Sequence, residues 1–348
     1  MKVEVYKYNL KLKYPFGISG NTRIETPVVF VKLSANDVYG WGEASLPPYL
    51  PFNQEDIINC FKRFNFSAYS WQELTVLLDE FKKINPHYPP AWAALDIAIN
   101  DLMGKKLNKP IWQLYDVNPK LMKPNVLTIG IDTPEVIVKK VNEATRFKIL
   151  KVKIGSNDDI SIIKTIRSVT NKPIIADANQ GIKDKFQALE LCKWLHDQNC
   201  LLLEQPLAKN DLNGHLFLAE RSPIPIIADE SFQTENDLER IKNHFNGINI
   251  KLMKCGGIRS AYSIIQKAIR YNLKIMMGSM NESSCANLAA AQIAPLADWV
   301  DLDGPFLITN NPFEDFIINN DGRIMLTDNP GLGLIENAFY IQQSPFME

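Results

Sequence analysis

Three apolar runs of this chain end in a carboxylate: IIADAN at Asp177, LLLEQP at Glu204 and IIADES at Asp229. An acid at the buried end of a strand is costly unless something neutralises it. One such acid alone is most simply a cap on the helix that follows. Three at matched positions point to a shared cation, and an all-oxygen donor set without Cys or His suits magnesium better than zinc. The stretch LKVKIG adds two ammonium groups, and because side chains alternate along a strand, Lys151 and Lys153 share a face. Standing alone they could snorkel from a solvated strand end. Beside three acids they can do chemistry: Lys151 disfavours a second ammonium next to it, which is expected to lower the pKa of Lys153 and make it a base near neutral pH. In INIKLMKCGG the same alternation separates Lys251 from Lys254, and Lys251, inside the strand, is expected to be the one that points inward.

A repeat must position these groups. After Pro124 come eight short apolar strands, NVLTIG, ILKVKIG, PIIADAN, LLLEQP, PIIADES, INIKLMK, KIMMGSM and WVDLDGP. Each is trailed by roughly 12 to 16 residues with helical spacing, the signature of βα units. One polar residue near each strand end (Thr128, Lys153, Asp177, Glu204, Asp229, Lys251, Ser279, Asp301) recurs every 22 to 28 residues. The fold class expected is therefore α/β, a modified (β/α) TIM barrel with its site at the C-terminal strand ends. Before it, alternating segments Val3–Tyr14 and Val28–Leu33, then helical patterns at Gln54–Phe64, Trp71–Ile84 and from Pro89, describe an α+β domain over residues 1–122. The barrel is assigned to 123–310, and 311–348 is expected to return to the first domain. PFGISGNTRIETP, with its glycines and polar residues, reads as a mobile loop.

On the second and sixth of eight strands, Lys153 and Lys251 would face each other across the barrel axis. A carbon held between them could lose a proton to one and regain it from the other. The α-proton of a carboxylate is weakly acidic, so the enediolate left behind needs a divalent cation and a nearby ammonium.

Composition excludes other classes. With 46% apolar and 22% charged residues and a net charge of -1, nothing favours nucleic acid or an anionic membrane as partner. The five cysteines are widely spaced without CxxC pairs, which suits reduced thiols. MKVEVYKYNLKLKYPF alternates instead of forming a signal-peptide core, and no apolar run is membrane-spanning, so a cytoplasmic protein is expected. No GxGxxG or Walker motif supports a nucleotide site.

The segments KVK, DAN, EQP, DES and NIKLMKCGG, in this order over residues 123–310, resemble the enolase superfamily, specifically its muconate-lactonizing subgroup. That resemblance implies one Mg2+ per subunit on Asp177, Glu204 and Asp229, Lys153 and Lys251 as the two bases, a homo-oligomer, and a capping domain whose loops 16–24 and 49–54 set specificity. Within WVDLDGP, Asp301 and Asp303 share a face; they are either solvated loop acids or a cradle for a cationic group. The DLD segment resembles the DxD motif of dipeptide epimerases, implying that this pair holds a dipeptide's ammonium. Resemblance also places Thr128, Ser279 and Asn281 at the substrate, with Lys151 contacting its anionic oxygen. Ala-Glu epimerases carry an arginine in the first lid loop; counting from Phe16 reaches Asn21, with Arg23 two residues late. A small or neutral second residue, Ala-Ala first, is then expected, with a source in cell-wall peptides. Alternatives are an L-Ala-D/L-Glu epimerase, an o-succinylbenzoate synthase or muconate-type cycloisomerase, or an N-acylamino acid racemase. A non-catalytic binding barrel would have no use for opposed bases.

Overall fold

The structure is a computed structural model that describes residues 1–18, 21–155, 158–314 and 316–337; the side chains of 16–18, 21 and 22 lie outside that description. Alternation in the first segment builds an antiparallel sheet, β1 (Lys2–Ile18), β2 (Asn21–Ala35) and β3 (Val38–Ser45). One face, with Val3, Val5, Val29, Val31 and Leu33, packs against three helices, α1 (Gln54–Lys62), α2 (Leu74–Ile84) and α3 (Pro89–Leu107). The other face, with Leu10, Val28, Phe30 and Trp41, joins the core of the barrel. Helix α3 belongs to both: Ala94 and Ala98 pack on the sheet side while Ala93 and Ile97 pack on the barrel side. It is therefore apolar on most sides instead of amphipathic. The sheet reaches α3 through Gly42, where a Cβ would lie 1.9 Å from the Ala94 carbonyl oxygen.

The stretch expected as a loop continues the hairpin. After a register break between Lys11 and Phe16, Phe16 pairs with Arg23, Gly17 with Thr22 and Ile18 with Asn21. Ladder hydrogen bonds satisfy the backbone whatever the side chains are, so polarity and glycine alone do not end a strand. Residues 19 and 20 of the first lid stretch lie outside the described residues.

From Val126 the eight expected strands follow in order: β4 (Val126–Ile129), β5 (Ile149–Lys153), β6 (Ile174–Asp177), β7 (Cys200–Glu204), β8 (Ile226–Ala228), β9 (Gly247–Lys251), β10 (Lys274–Gly278) and β11 (Trp299–Asp301). All pair in parallel with their sequence neighbours. The ring closes at Asn125, which bridges to Val300 and whose side-chain amide exchanges two hydrogen bonds with Leu302, at 2.8 and 2.9 Å. Inside, Val126, Ile175, Leu202, Ile227 and Met276 form a dry plug. Two residues further along the same strands stand Thr128, Asp177, Glu204, Asp229 and Gly278.

Residues after 310 run back across the sheet. Tyr39 and Trp41 each donate to Glu336 at 2.7 Å, Leu332 donates its N–H to Asp101 at 2.8 Å, and Phe313 meets Phe30 edge-on. The five cysteines are buried and free. Among the described residues no helix is long and apolar enough to cross a membrane.

Candidate active site

Parallel pairing brings the strand-end groups side by side. Lys153 is level with Asp177, Asp177 with Glu204, and Thr128 with Lys151. Lys151 Nζ stands 3.0 Å from Asp177 Oδ2, 2.7 Å from Glu204 Oε2 and 2.8 Å from Asp301 Oδ2. Lys153 Nζ is 2.6 Å from Asp177 Oδ2 and 3.0 Å from Asn179 Oδ1. Four strands away in the ring of eight, Lys251 Nζ is 2.9 Å from Asp229 Oδ2. The two lysines therefore stand on opposite walls of the barrel mouth, the relation that strand counting anticipates.

Two expectations about lysines change. Lys151 is not a bare cation beside Lys153. Burial would lower its pKa, but the charges of Asp301, Glu204 and Asp177 overcome that and hold it well above the ordinary value. Its charge is matched by carboxylates, so tuning of Lys153 by Lys151 has no support in the geometry. Nor does Lys254 point away: its ammonium is buried, 2.7 Å from Asp229 Oδ1. Face alternation fails there because β9 ends at Lys251 and the chain turns helical over Leu252–Cys255.

The three acids bear on the expected metal. Among the described residues, no three His, Cys, Asp or Glu side chains close on one point, because ammonium groups stand between them. The donor set nevertheless fits a divalent cation. It is purely carboxylate oxygen, and all three acids are buried. Among the described residues nothing donates an aligned hydrogen bond to Glu204 Oε2; its 2.7 Å approach to Lys151 is an ion pair alone. Burial, then the charge of Asp177, push the Glu204 carboxyl up to about 7. Asp177 and Asp229 are held below the usual range: burial opposes ionisation there, but Lys153 and Lys151 overcome it for one and Lys251 and Lys254 for the other. Ionisation is thus least favoured at Glu204, where added positive charge would stabilise the carboxylate.

Lys151, Lys153, Asp229 and Lys251, with Thr128, Ser279, Asn281, Arg23 and Tyr49, line a cavity of about 520 Å³, ample for a dipeptide, while Asp177 and Glu204 are buried behind that lining. Ser279 is anchored through its N–H to the Asp301 carbonyl at 2.9 Å, and Asn281 has a buried Nδ2 without a partner among the described residues. The capping domain fixes this segment: Ser45 Oγ donates to the Asn281 carbonyl at 2.7 Å, and Glu43 accepts from the Ser283 hydroxyl at 2.6 Å. Asp301 and Asp303 lie beneath the lining, both buried. Asp303 accepts the Thr128 N–H at 2.6 Å, and burial, then the Asp301 charge, push its carboxyl up to about 6.

Some groups escape sequence reasoning. Arg23 reaches the cavity, its guanidinium 5.7 Å from the Tyr49 ring centre, so the two-residue offset from the counted position does not remove it from the site. Of the aromatics in the second lid stretch, Tyr49 lines the cavity while Phe52 packs on Tyr88 in the capping core. Gln205, in EQP, accepts the N–H groups of Asp229 and Ser231, both at 3.0 Å. It holds φ at +38°, beside Asn179 at +41° and Gln180 at +66°, so left-handed backbone gathers at the rim. Alternation could have found Asn249, which shares the inward face with Lys251.

A parallel eight-stranded barrel under an antiparallel cap, with opposed lysines and strand-end acids at its mouth, defines the class as a capped barrel with acid–base groups facing one cavity. Family models match both parts: "Mandelate racemase / muconate lactonizing enzyme, N-terminal domain" over residues 1–115 and "Enolase C-terminal domain-like" over 136–336. The chain belongs to the mandelate racemase and muconate lactonizing group of the enolase superfamily. It is 41% identical over 338 residues to an L-Ala-D/L-Glu epimerase of Bacteroides thetaiotaomicron, covering 97% of this chain and 88% of that one. Its structure is similar to the N-succinyl Arg/Lys racemase of Bacillus cereus (TM-score 0.90, 27% identity, 99% and 97% covered). It is also similar to a dipeptide epimerase of Enterococcus faecalis complexed with Mg and L-Leu-L-Tyr (0.87, 28%, 95% and 98%). Epimerases and racemases are isomerases, and this protein is an isomerase of that kind.

Proposed function

We propose that the protein is a magnesium-dependent epimerase that inverts the second α-carbon of an Ala-Xaa dipeptide, with an acidic second residue, Ala-Glu, preferred. The carrying observation is Arg23 in the cavity that contains Lys153 and Lys251. A guanidinium there gives a second-residue carboxylate a charge-assisted partner. This replaces the expectation of Ala-Ala, which rested on residue 21, and it agrees with the name of the Bacteroides relative.

The lysines carry the proton. One takes the α-proton as the free amine and the other returns a proton from the opposite wall, so configuration inverts. Asp177, Glu204 and Asp229 would hold magnesium, which when bound would supply positive charge against the enediolate. Lys151 remains charged beside the substrate carboxylate. Asp301 and Asp303, buried just beneath the lining, are the acids assigned to the substrate ammonium, a role that favours a free amine over an acylated one. Asn281 Nδ2 and the Ser279 segment face the peptide. Turnover of cell-wall peptides is the source of substrate that this chemistry suits.

The test is α-proton exchange in deuterium oxide with Mg2+, read by mass, on Ala-Glu, Ala-Ala and N-succinyl amino acids. Ala-Glu is expected to exchange at least about tenfold faster in kcat/KM than Ala-Ala. Arg23→Met should lower Ala-Glu about 30- to 100-fold, equivalent to about 2 to 3 kcal/mol, and leave Ala-Ala within a few-fold. Preference for Ala-Ala, unaltered by that substitution, restores the neutral-residue reading. Exchange of N-succinyl substrates alone sinks the dipeptide assignment.

A further inference from the structure

Asp177, Glu204 and Asp229 are held in one pattern. Each has one oxygen tied by a donor outside the trio Lys151, Lys153 and Lys251, and presents the other to that trio. Asp177 Oδ1 accepts the Asn179 N–H at 3.1 Å while Oδ2 faces Lys153 and Lys151. Glu204 Oε1 accepts Asn249 Nδ2 at 2.7 Å while Oε2 faces Lys151. Asp229 Oδ1 accepts Lys254 Nζ at 2.7 Å while Oδ2 faces Lys251. We propose that Asn249 and Lys254 are positioning residues that hold the inner oxygens of Glu204 and Asp229, so that the outer oxygens are presented together to a divalent cation.

Asn249 is hard to explain otherwise. It is fully buried two residues below Lys251, where the neighbouring plug is Val126, Ile175, Leu202, Ile227 and Met276. Among the described residues its Oδ1 has no hydrogen-bond partner, an arrangement that costs stability relative to an apolar side chain. Even its room is made for it: a Cβ at Gly278 would lie 2.3 Å from that Oδ1, at a glycine whose backbone is not left-handed. The gain that offsets this is the bond from Nδ2 to Glu204.

Lys254 has a similar division of labour. Its ammonium binds the carbonyl oxygens of Asp229, Phe232 and Asn249 at 2.9, 2.8 and 3.1 Å, which clamps the loop after β8 to β9. The fourth acceptor is the Asp229 carboxylate. Donors behind metal-binding carboxylates fix their orientation, and their loss typically weakens metal binding 10- to 100-fold.

The inference rests on the magnesium reading above, and direct binding separates the two. Mg2+ is titrated calorimetrically into the full chain, unmodified and as Asn249→Leu, Gly278→Ala, Lys254→Met and Lys254→Arg, alongside metal-free melting. Asn249→Leu is expected to raise the Mg2+ Kd about tenfold or more, whichever way metal-free melting moves, because completing the plug and stranding Glu204 Oε1 oppose each other. A purely structural role would lower melting and leave Kd alone. Gly278→Ala should raise Kd several-fold by displacing the amide, and Lys254→Arg should bind more tightly than Lys254→Met. If Lys254→Met does not fold, the Asn249 and Gly278 variants decide. Kd values within twofold of the unmodified protein for both overturn the inference while leaving magnesium in place. Failure of the unmodified protein to bind Mg2+ at millimolar concentration overturns both.

Discussion

Two inward-facing sets lie one pleat apart on the same strands. The lower, with Val126, Ile175, Leu202, Ile227 and Met276, is hydrocarbon; the upper, with Thr128, Asp177, Glu204, Asp229 and Gly278, is charged, polar or empty. Both are largely buried, so position along the strand more than exposure separates them. The lower set gains stability by leaving water, while the upper set endures burial of carboxylates that the neighbouring lysines make tolerable. Scaffold and chemistry are therefore divided within each strand.

The sharpest break of that division comes from the upper set. Lys153→Ala and Lys251→Ala are each expected to remove exchange from one stereoisomer by about 10³-fold, with unfolding still cooperative. Exchange of both stereoisomers surviving in either variant ends the two-base assignment. In the lower set, Leu202→Ala should cost about 3 to 5 kcal/mol in urea denaturation and leave kcat/KM of the folded protein within about threefold. A large loss of turnover at unchanged stability would show that the plug reaches into the chemistry.

A smaller effect comes from outside both sets. His215 is buried with its ring 4.3 Å from that of Phe245, and burial pulls its pKa from 6.5 down to about 4. Between those values the unfolded chain binds a proton that the folded chain refuses. Stability therefore falls as pH drops through that window, by up to about 3 kcal/mol. His215→Gln should flatten the pH 7 to 4 slope in equilibrium unfolding; an unchanged slope would locate acid sensitivity elsewhere, in the mouth acids first.

The barrel was legible because each βα unit places its polar group at the same point, so regular spacing of Asp177, Glu204 and Asp229 reports a ring. Lys153 and Lys251 followed from alternation inside strands. The same rule misplaced Lys254, because alternation says nothing once the strand has ended. It also could not reveal that Asp301, which lies 150 residues beyond Lys151, would stand against it. Arg23 was discounted by counting along a presumed loop, whereas the paired hairpin sets its reach. In each case the missing information is a long-range contact or a local backbone geometry, neither of which composition or periodicity encodes.

The Asn125 seam has a consequence for assembly. A side-chain amide there imitates a strand partner for Leu302, 177 residues later, and Leu302 lies between Asp301 and Asp303. During synthesis β4 emerges early and waits with that amide unmatched until nearly the whole barrel has been made. The acids proposed to receive the substrate ammonium can be seated only at that last closure. Chains cut short before β11 contain both lysines and Asp177, Glu204 and Asp229, yet they lack the seam that brings Asp301 to Lys151, so an unfinished barrel has no assembled mouth.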